Sequence, residues 1–399
     1  MDQMLAVLFA FAFLYSLVAA RLERTPVAGA IVFTGFGLLV GPLGAGLLST
    51  GQPEGLRFLA ELTLALVLFI DAANANLGVL SRNRGIPMRL LLVGLPLTIL
   101  LGFGAGALLF PALGWVGWAL LGTMLAPTDA ALGKAVVTNQ AVPAPIREAL
   151  NVESGLNDGI CVPLLLILLA IAAVPGGGAH GMGVVIQHHF FLKEIGIGMV
   201  VGALMAMGGQ RAIRFAGLRG WISDSWRQLP VVALAFTIFG MAQTLGGSGF
   251  IACFVGGLLA GALSTGQKHE FLQPAEGTGD AFSLLTWVVF GAAVVGPAID
   301  WLTWQILAYA LLSLTLVRML PVYLAMTGSA KKPMARLFLG WFGPRGLASV
   351  VFAVMVLEAG VPDSNTLTPT VAWTVILSVI AHGVTAVPLA AAFSRRSTL

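Results

Sequence analysis

Residues 147–174 read REALNVESGLNDGICVPLLLILLAIAAV, and this stretch decides the fold. A helix needs about 20 apolar residues to cross the roughly 30 Å hydrocarbon core of a bilayer, and this run is longer than that. It also holds Glu153, Ser154, Asn157 and Asp158 among apolar neighbours. A charge at membrane depth costs roughly 2.5 to 3.5 kcal/mol on insertion scales, so it is usually paired, faces a cavity and serves transport.

The rest of the chain agrees with a lipid environment. Of its 399 residues 58% are hydrophobic and 10% charged, against about 25% charged in a soluble domain. Its 21 basic and 17 acidic side chains cannot cover a body of this size in water. Fifty glycines and twenty prolines lie inside apolar runs, where helix interfaces and broken helices use them. Cys161 and Cys253 both sit in apolar stretches, which supports neither a disulfide framework nor a zinc site. No basic run of five or more residues accompanies the net charge of +4, so nucleic acid is not an expected partner. Met1-Asp2-Gln3 offers no basic n-region, so the first helix is expected to stay rather than be cleaved.

Apolar runs recur at about 3–20, 26–45, 57–80, 88–110, 114–138, 147–174, 190–212, 228–245, 248–264, 281–298, 301–326, 335–358 and 370–393, which gives thirteen spans. Arg21, Arg24, Arg82, Arg84, Arg89, Lys134, Arg147, Arg211, Arg214, Arg219, Arg227, Lys268, Lys331, Lys332, Arg336, Arg395 and Arg396 fall on one side, against Arg57 and Lys193 on the other. Arg318 and Arg345 fall inside runs. The positive-inside rule then puts the N-terminus outside and the C-terminus in the cytoplasm, which requires an odd number of spans. Ala126-Pro127-Thr128-Asp129-Ala130 interrupts the fifth run and Phe342-Gly343-Pro344-Arg345-Gly346 the twelfth, at matching places in two six-helix sets. The expected architecture is an all-α polytopic membrane protein, one transporter domain over 1–399. It has one repeat over 1–175, a linker helix at about 190–212, and a second, inverted repeat over 228–393, with the fifth and twelfth helices broken and meeting at mid-membrane.

Ser154 and Asp158 are four residues apart, so they share a helix face and can point at one small ion. One carboxylate with hydroxyl and carbonyl oxygens suits a hard monovalent cation rather than a tightly held divalent one. Pro127 lacks an N–H and disfavours helix at Ala126, which frees carbonyls as ligands, and Thr128 adds a hydroxyl. Asp129 is expected at the N-terminus of the second half-helix, as a cap and as a charge near the pathway. Arg345 cannot lose its proton, and Glu153 is its expected partner, leaving Asp158 as the unpaired carboxylate. Asp71, with Asn74 and Asn76, is a further candidate for the ion pathway. Glu61 reads as interfacial, His382 and Gln243 as interhelical hydrogen-bond partners, and His180, His188 and His189 as residues of an outside connection.

These motifs resemble the monovalent cation:proton antiporters of the NhaP and sodium/proton-exchanger branch. The resemblance rests on Pro127-Thr128-Asp129, Glu153-Ser154-Gly155-Leu156-Asn157-Asp158-Gly159 and Gly343-Pro344-Arg345-Gly346, and it covers nearly the whole chain. It implies an antiporter fold in which cation and proton compete at Asp158, with Ser154 and Thr128 helping to hold Na+; Asn157, beside Asp158, is a further cation/proton-binding candidate. It also implies a Glu153–Arg345 core salt bridge and a homodimer in the cell membrane. Ala130 and Asp71 depart from the family's common proline and glutamate. The chain ends just after the thirteenth run, so no cytoplasmic regulatory domain is expected. The expected activity is exchange of Na+ or Li+ for H+, one for one, with no cofactor; K+/H+ exchange is the alternative. A protease is the distant rival, from the Gly277-Thr278-Gly279-Asp280 string or from Gly246-Gly247-Ser248-Gly249 with His382 as base.

Overall fold

The computed structural model describes residues 2–22, 25, 28–47, 53–75, 85–129, 131–137, 139–140, 142–174, 190–227, 229–264, 268–329 and 332–397. All regular structure among them is helical. The elements are α1 (Asp2–Leu22), α2 (Gly29–Val40), α3 (Pro53–Asn74), α4 (Gly85–Leu109), α5 (Gly114–Met124), α6 (Lys134–Val137) and α7 (Ala144–Ala173). They continue with α8 (Phe190–Leu218), α9 (Leu229–Thr244), α10 (Gly249–Leu263) and α11 (Lys268–Val289, prolonged through Gly296–Ala298). The remaining helices are α12 (Trp304–Ala325), α13 (Pro333–Trp341), α14 (Leu347–Glu358) and α15 (Ser364–Ser397).

Each apolar run of the sequence is occupied by one of these helices or, at the two interruptions, by a pair of them. Among the described residues six helical stretches are long and apolar enough to cross a membrane, namely Gly85–Leu109, Ala144–Ala173, Lys193–Leu218, Ala275–Ala298, Trp304–Ala325 and Ser364–Arg395. Phe9, Phe13, Leu14 and Leu17 of α1 are exposed, as an apolar helix facing lipid requires. The largest departure from the apolar pattern is α11, which begins at Lys268 rather than 281. A scan for apolar residues cannot see its first turns, because Glu270, Glu276 and Asp280 punctuate them.

Lipid offers no hydrophobic force between helices, so close approach of backbones has to hold the bundle together. Glycines at the crossings supply it. A Cβ on Gly257 or Gly261 of α10 would run into the carbonyls of Phe69 and Ala73 on α3, and one on Gly202 of α8 into the Ala252 carbonyl of α10. The same holds for Gly37 of α2 against Val288 of α11, and for Gly122 of α5 against the Ile99 carbonyl of α4. On α7, Gly155 packs on the Asp71 carbonyl of α3, and Gly159 lies against the ring of Phe254 of α10.

Candidate functional site

Two non-helical stretches, 125–129 after α5 and 342–346 after α13, meet in the interior. The Asp129 N–H donates to the Pro344 carbonyl at 2.8 Å, so the two breaks are joined main chain to main chain. Each break exposes helix ends whose backbone groups lack partners. At the positive ends stands Asp129. Its Oδ2 accepts the Leu347 N–H at the start of α14 at 3.0 Å, and its Oδ1 accepts the Ala131 and Leu132 N–H groups at 2.8 and 3.2 Å. At the negative end of α5 stands Arg345, which donates to the Ala126, Pro127 and Ser313 carbonyls at 3.1, 3.4 and 3.5 Å. Ser349 adds its hydroxyl to the Met124 carbonyl at 2.7 Å. A carboxylate at an N-terminus and a guanidinium at a C-terminus are what helix dipoles favour. Asp129 therefore caps α14 from the opposite break and closes the turn that follows it in its own, where the sequence indicated a cap on its own half-helix. A Cβ on Gly346 would overlap its carboxylate.

Beside this crossing, α7 presents its polar face. Thr128 Oγ1 and Ser154 Oγ are 2.9 Å apart, and Asn157 Nδ2 donates to Thr128 Oγ1 at 2.7 Å. Asp158 is buried with them. Its Oδ1 and the Oδ1 of Asn157 are buried without a hydrogen-bond partner among the described residues. Two orphaned oxygens next to two hydroxyls form a donor set for a small hard cation, and they would be costly to leave bare. One further oxygen escaped the sequence reading. Pro163 inside α7 has no N–H to give the Gly159 carbonyl, which leaves that carbonyl without its helical partner one residue from Asp158.

The expected Glu153–Arg345 pair is not formed. Glu153 takes both of its hydrogen bonds from Arg318 of α12, NH1 to Oε1 at 2.6 Å and NH2 to Oε2 at 2.9 Å, with both side chains about 1% exposed. The reason is geometric: Arg345 is committed to the carbonyls opened by Pro127, whereas Arg318 meets Glu153 in the parallel two-bond arrangement that a guanidinium prefers. Gly343 makes room for it, since a Cβ there would strike the Arg318 guanidinium. The sequence offers Arg318 only as a second candidate, since it too lies inside an apolar run and bears the same insertion cost as Arg345.

Asp71 lies on α3 where its carbonyl meets Gly155, half-buried and within electrostatic reach of Asp129, Asp280 and Glu276. Asn74 donates to Glu276 Oε1 at 2.8 Å and so faces α11. Asn76, Ala130, His180, His188 and His189 lie outside the described residues. His382 does bridge helices, reaching the Trp341 carbonyl of α13 at 2.8 Å. Gln243, by contrast, is exposed near the end of α9 instead of bonding across an interface. Cys161 and Cys253 are buried free thiols.

Comparison with known proteins places the chain in a family. The profile described as sodium/hydrogen exchanger, transmembrane, covers residues 7–392. A K(+)/H(+) antiporter NhaP of Alkalimonas amylolytica is 25% identical over 97% of this chain and 65% of its own length. A Na(+)/H(+) antiporter 2 of Zygosaccharomyces rouxii is 26% identical over 62% of this chain and 32% of its own length. The chain thus spans less than two thirds of the curated relatives it matches. In fold it resembles the sodium proton antiporter MjNhaP1 of Methanocaldococcus jannaschii, with a TM-score of 0.77 at 20% identity over 96% of this chain and 100% of that one. That family is one of transporters rather than enzymes, and with its profile matched over residues 7–392, the chain belongs to the sodium/hydrogen exchanger family.

Proposed function

We propose that the chain exchanges a monovalent cation for a proton by alternating access, and that Asp158 is the residue for which the two compete. The observation that carries this reading is the buried, unpartnered Oδ1 of Asp158 beside the Thr128–Ser154–Asn157 cluster. A proton or a cation can neutralise that oxygen, and either one removes the cost of an unpaired charge at membrane depth. Thr128, Ser154 and Asn157 supply the remaining oxygens to the ion, and Asp71 lines its approach. Glu153 is engaged by the two hydrogen bonds from Arg318 and Asp129 by three backbone N–H groups, which leaves Asp158 as the carboxylate whose oxygen the two ions share.

One carboxylate neutralised by one proton or one monovalent cation gives loaded states of equal charge, so exchange is electroneutral and one for one. Na+ or Li+ is the favoured cation, because the donor set is small and built around a single carboxylate. K+ is the second reading, favoured by relatives named K(+)/H(+) antiporters. The thirteen spans, the inverted repeats over 1–175 and 228–393, the outside N-terminus and cytoplasmic C-terminus, and a dimer in the cell membrane complete the proposal. The test is a pH-sensitive dye in proteoliposomes under imposed Na+, Li+ or K+ gradients. Proton flux should follow a cation gradient and keep its equilibrium position under a potassium/valinomycin potential. Absence of cation-driven flux, or an equilibrium that moves steeply with voltage, refutes the scheme.

A further inference from the structure

α15 carries a buried polar stripe, Thr370, Thr374, Ser378 and His382, each one turn beyond the last. Thr370 and Thr374 are satisfied within the helix, donating to the Thr366 and Thr370 carbonyls at 2.6 and 2.7 Å. His382 is different. Its Nδ1 lies 2.7 Å from the Ser378 carbonyl oxygen and its Nε2 lies 2.8 Å from the Trp341 carbonyl oxygen. A carbonyl oxygen can only accept, and a neutral imidazole has a single N–H to give. Both contacts are hydrogen bonds only in the imidazolium; a neutral ring would set lone pair against lone pair at one of them. We infer that His382 is a second proton-binding site, and that the arrangement described is its protonated state.

The surroundings suit a removable proton. Trp341 ends α13, so its carbonyl sits at the negative end of a helix. Its indole stacks on the imidazole with centroids 5.1 Å apart, and the Phe342 ring approaches at 6.5 Å. Two cations face the imidazole, Arg345 from the break after α13 and Arg318 from α12, the latter paired with Glu153 of α7. No carboxylate among the described residues hydrogen-bonds the ring.

Loss of the proton has a defined path. Nε2–H keeps the Trp341 carbonyl, while Nδ1 becomes an acceptor and turns from the Ser378 carbonyl to the Ser378 hydroxyl, 3.3 Å away. That hydroxyl also accepts the backbone N–H of Arg345 at 2.7 Å. One residue earlier, the Pro344 carbonyl holds Asp129. Protonation of His382 is thus transmitted through one hydroxyl to the break that adjoins the Asp158 site, which gives exchange a pH dependence beyond that of Asp158.

The site itself is tested by 15N-histidine NMR on the protein in nanodiscs, with His382→Gln assigning the signal among five histidines. At about pH 6 both ring nitrogens of His382 should carry protons, and one should be lost as the pH rises. The Arg345 backbone amide should shift over the same range, and in Ser378→Ala it should cease to follow the ring. The transport consequence rests on the exchanger reading. In proteoliposomes His382→Gln, which can still donate to the Trp341 carbonyl, should exchange with the ratio of rates at about pH 8 and about pH 6 reduced about threefold or more, one titrating group having been removed. A single neutral tautomer at His382 from pH 6 upward overturns the inference, as does a His382→Gln pH profile superimposable on the parent's. A parent that shows no exchange would refute the exchanger reading, while the NMR titration would still decide the proton site.

Discussion

Cutting the guanidinium off Arg318 should be among the most damaging single changes in the chain. The structure gives the size of the effect. Arg318→Ala removes two charge-assisted hydrogen bonds, at 2.6 and 2.9 Å, from a carboxylate that is about 1% exposed. Leaving one member of such a pair buried and alone costs about 3 to 5 kcal/mol, far more than the net worth of the intact pair over an apolar replacement. The double substitution Glu153→Leu with Arg318→Met should therefore be more stable than either single variant. Unfolding in mixed micelles, followed by the fluorescence of the nine tryptophans, reads these differences. A double-mutant cycle between positions 153 and 318 should return a coupling of about 1 to 3 kcal/mol, and a cycle between 153 and 345 less than about 0.5 kcal/mol. A larger coupling for 153 with 345 than for 153 with 318 would refute the assignment.

Asp158→Asn should abolish cation-driven proton flux and leave thermal stability about equal, because Oδ1 loses no partner; persistent flux in proteoliposomes would count against Asp158 as carrier. Asp129→Asn keeps an acceptor but loses the carboxylate at the N-terminus of α14, so it should cost about 1 to 3 kcal/mol in the same unfolding assay while leaving exchange insensitive to valinomycin-imposed voltage. Gly346→Ala places a methyl in the Asp129 carboxylate and should cost about 1 to 3 kcal/mol and most of the exchange rate. Gly277→Ala, where a Cβ meets nothing within 4 Å, should be neutral or stabilising by about 0.5 to 1 kcal/mol in the same measurement.

The helical membrane architecture was readable because lipid imposes so simple a rule: a run of about twenty apolar residues is a helix, whatever it packs against. The breaks were readable for a related reason, since Pro127 and Pro344 each cancel a backbone donor. Thr128, Ser154, Asn157 and Asp158 could be placed together because three of them share one helix and the fourth adjoins a break. The partner of Glu153 could not be read. Which of two intramembrane arginines reaches it depends on how α12 and α13 cross, and Gly343, whose missing side chain makes room for Arg318, shows nothing of this in the sequence. The polar start of α11 was hidden too, because Asn74 and Glu276 meet only in the folded bundle.

The glycine crossings also have a mechanical consequence. Where α10 meets α3 and α8, and where α5 meets α4, main chain lies directly on main chain, so sliding either helix by one residue would drive a side chain into a carbonyl. Those crossings are stiff. The crossing at Gly159 is of another kind, because what fills its surface is the ring of Phe254, a side chain that can swing about its own bonds. Gly159 follows Asp158 directly in α7, so the helix that carries the carboxylate rests there on a contact that one ring rotation can loosen.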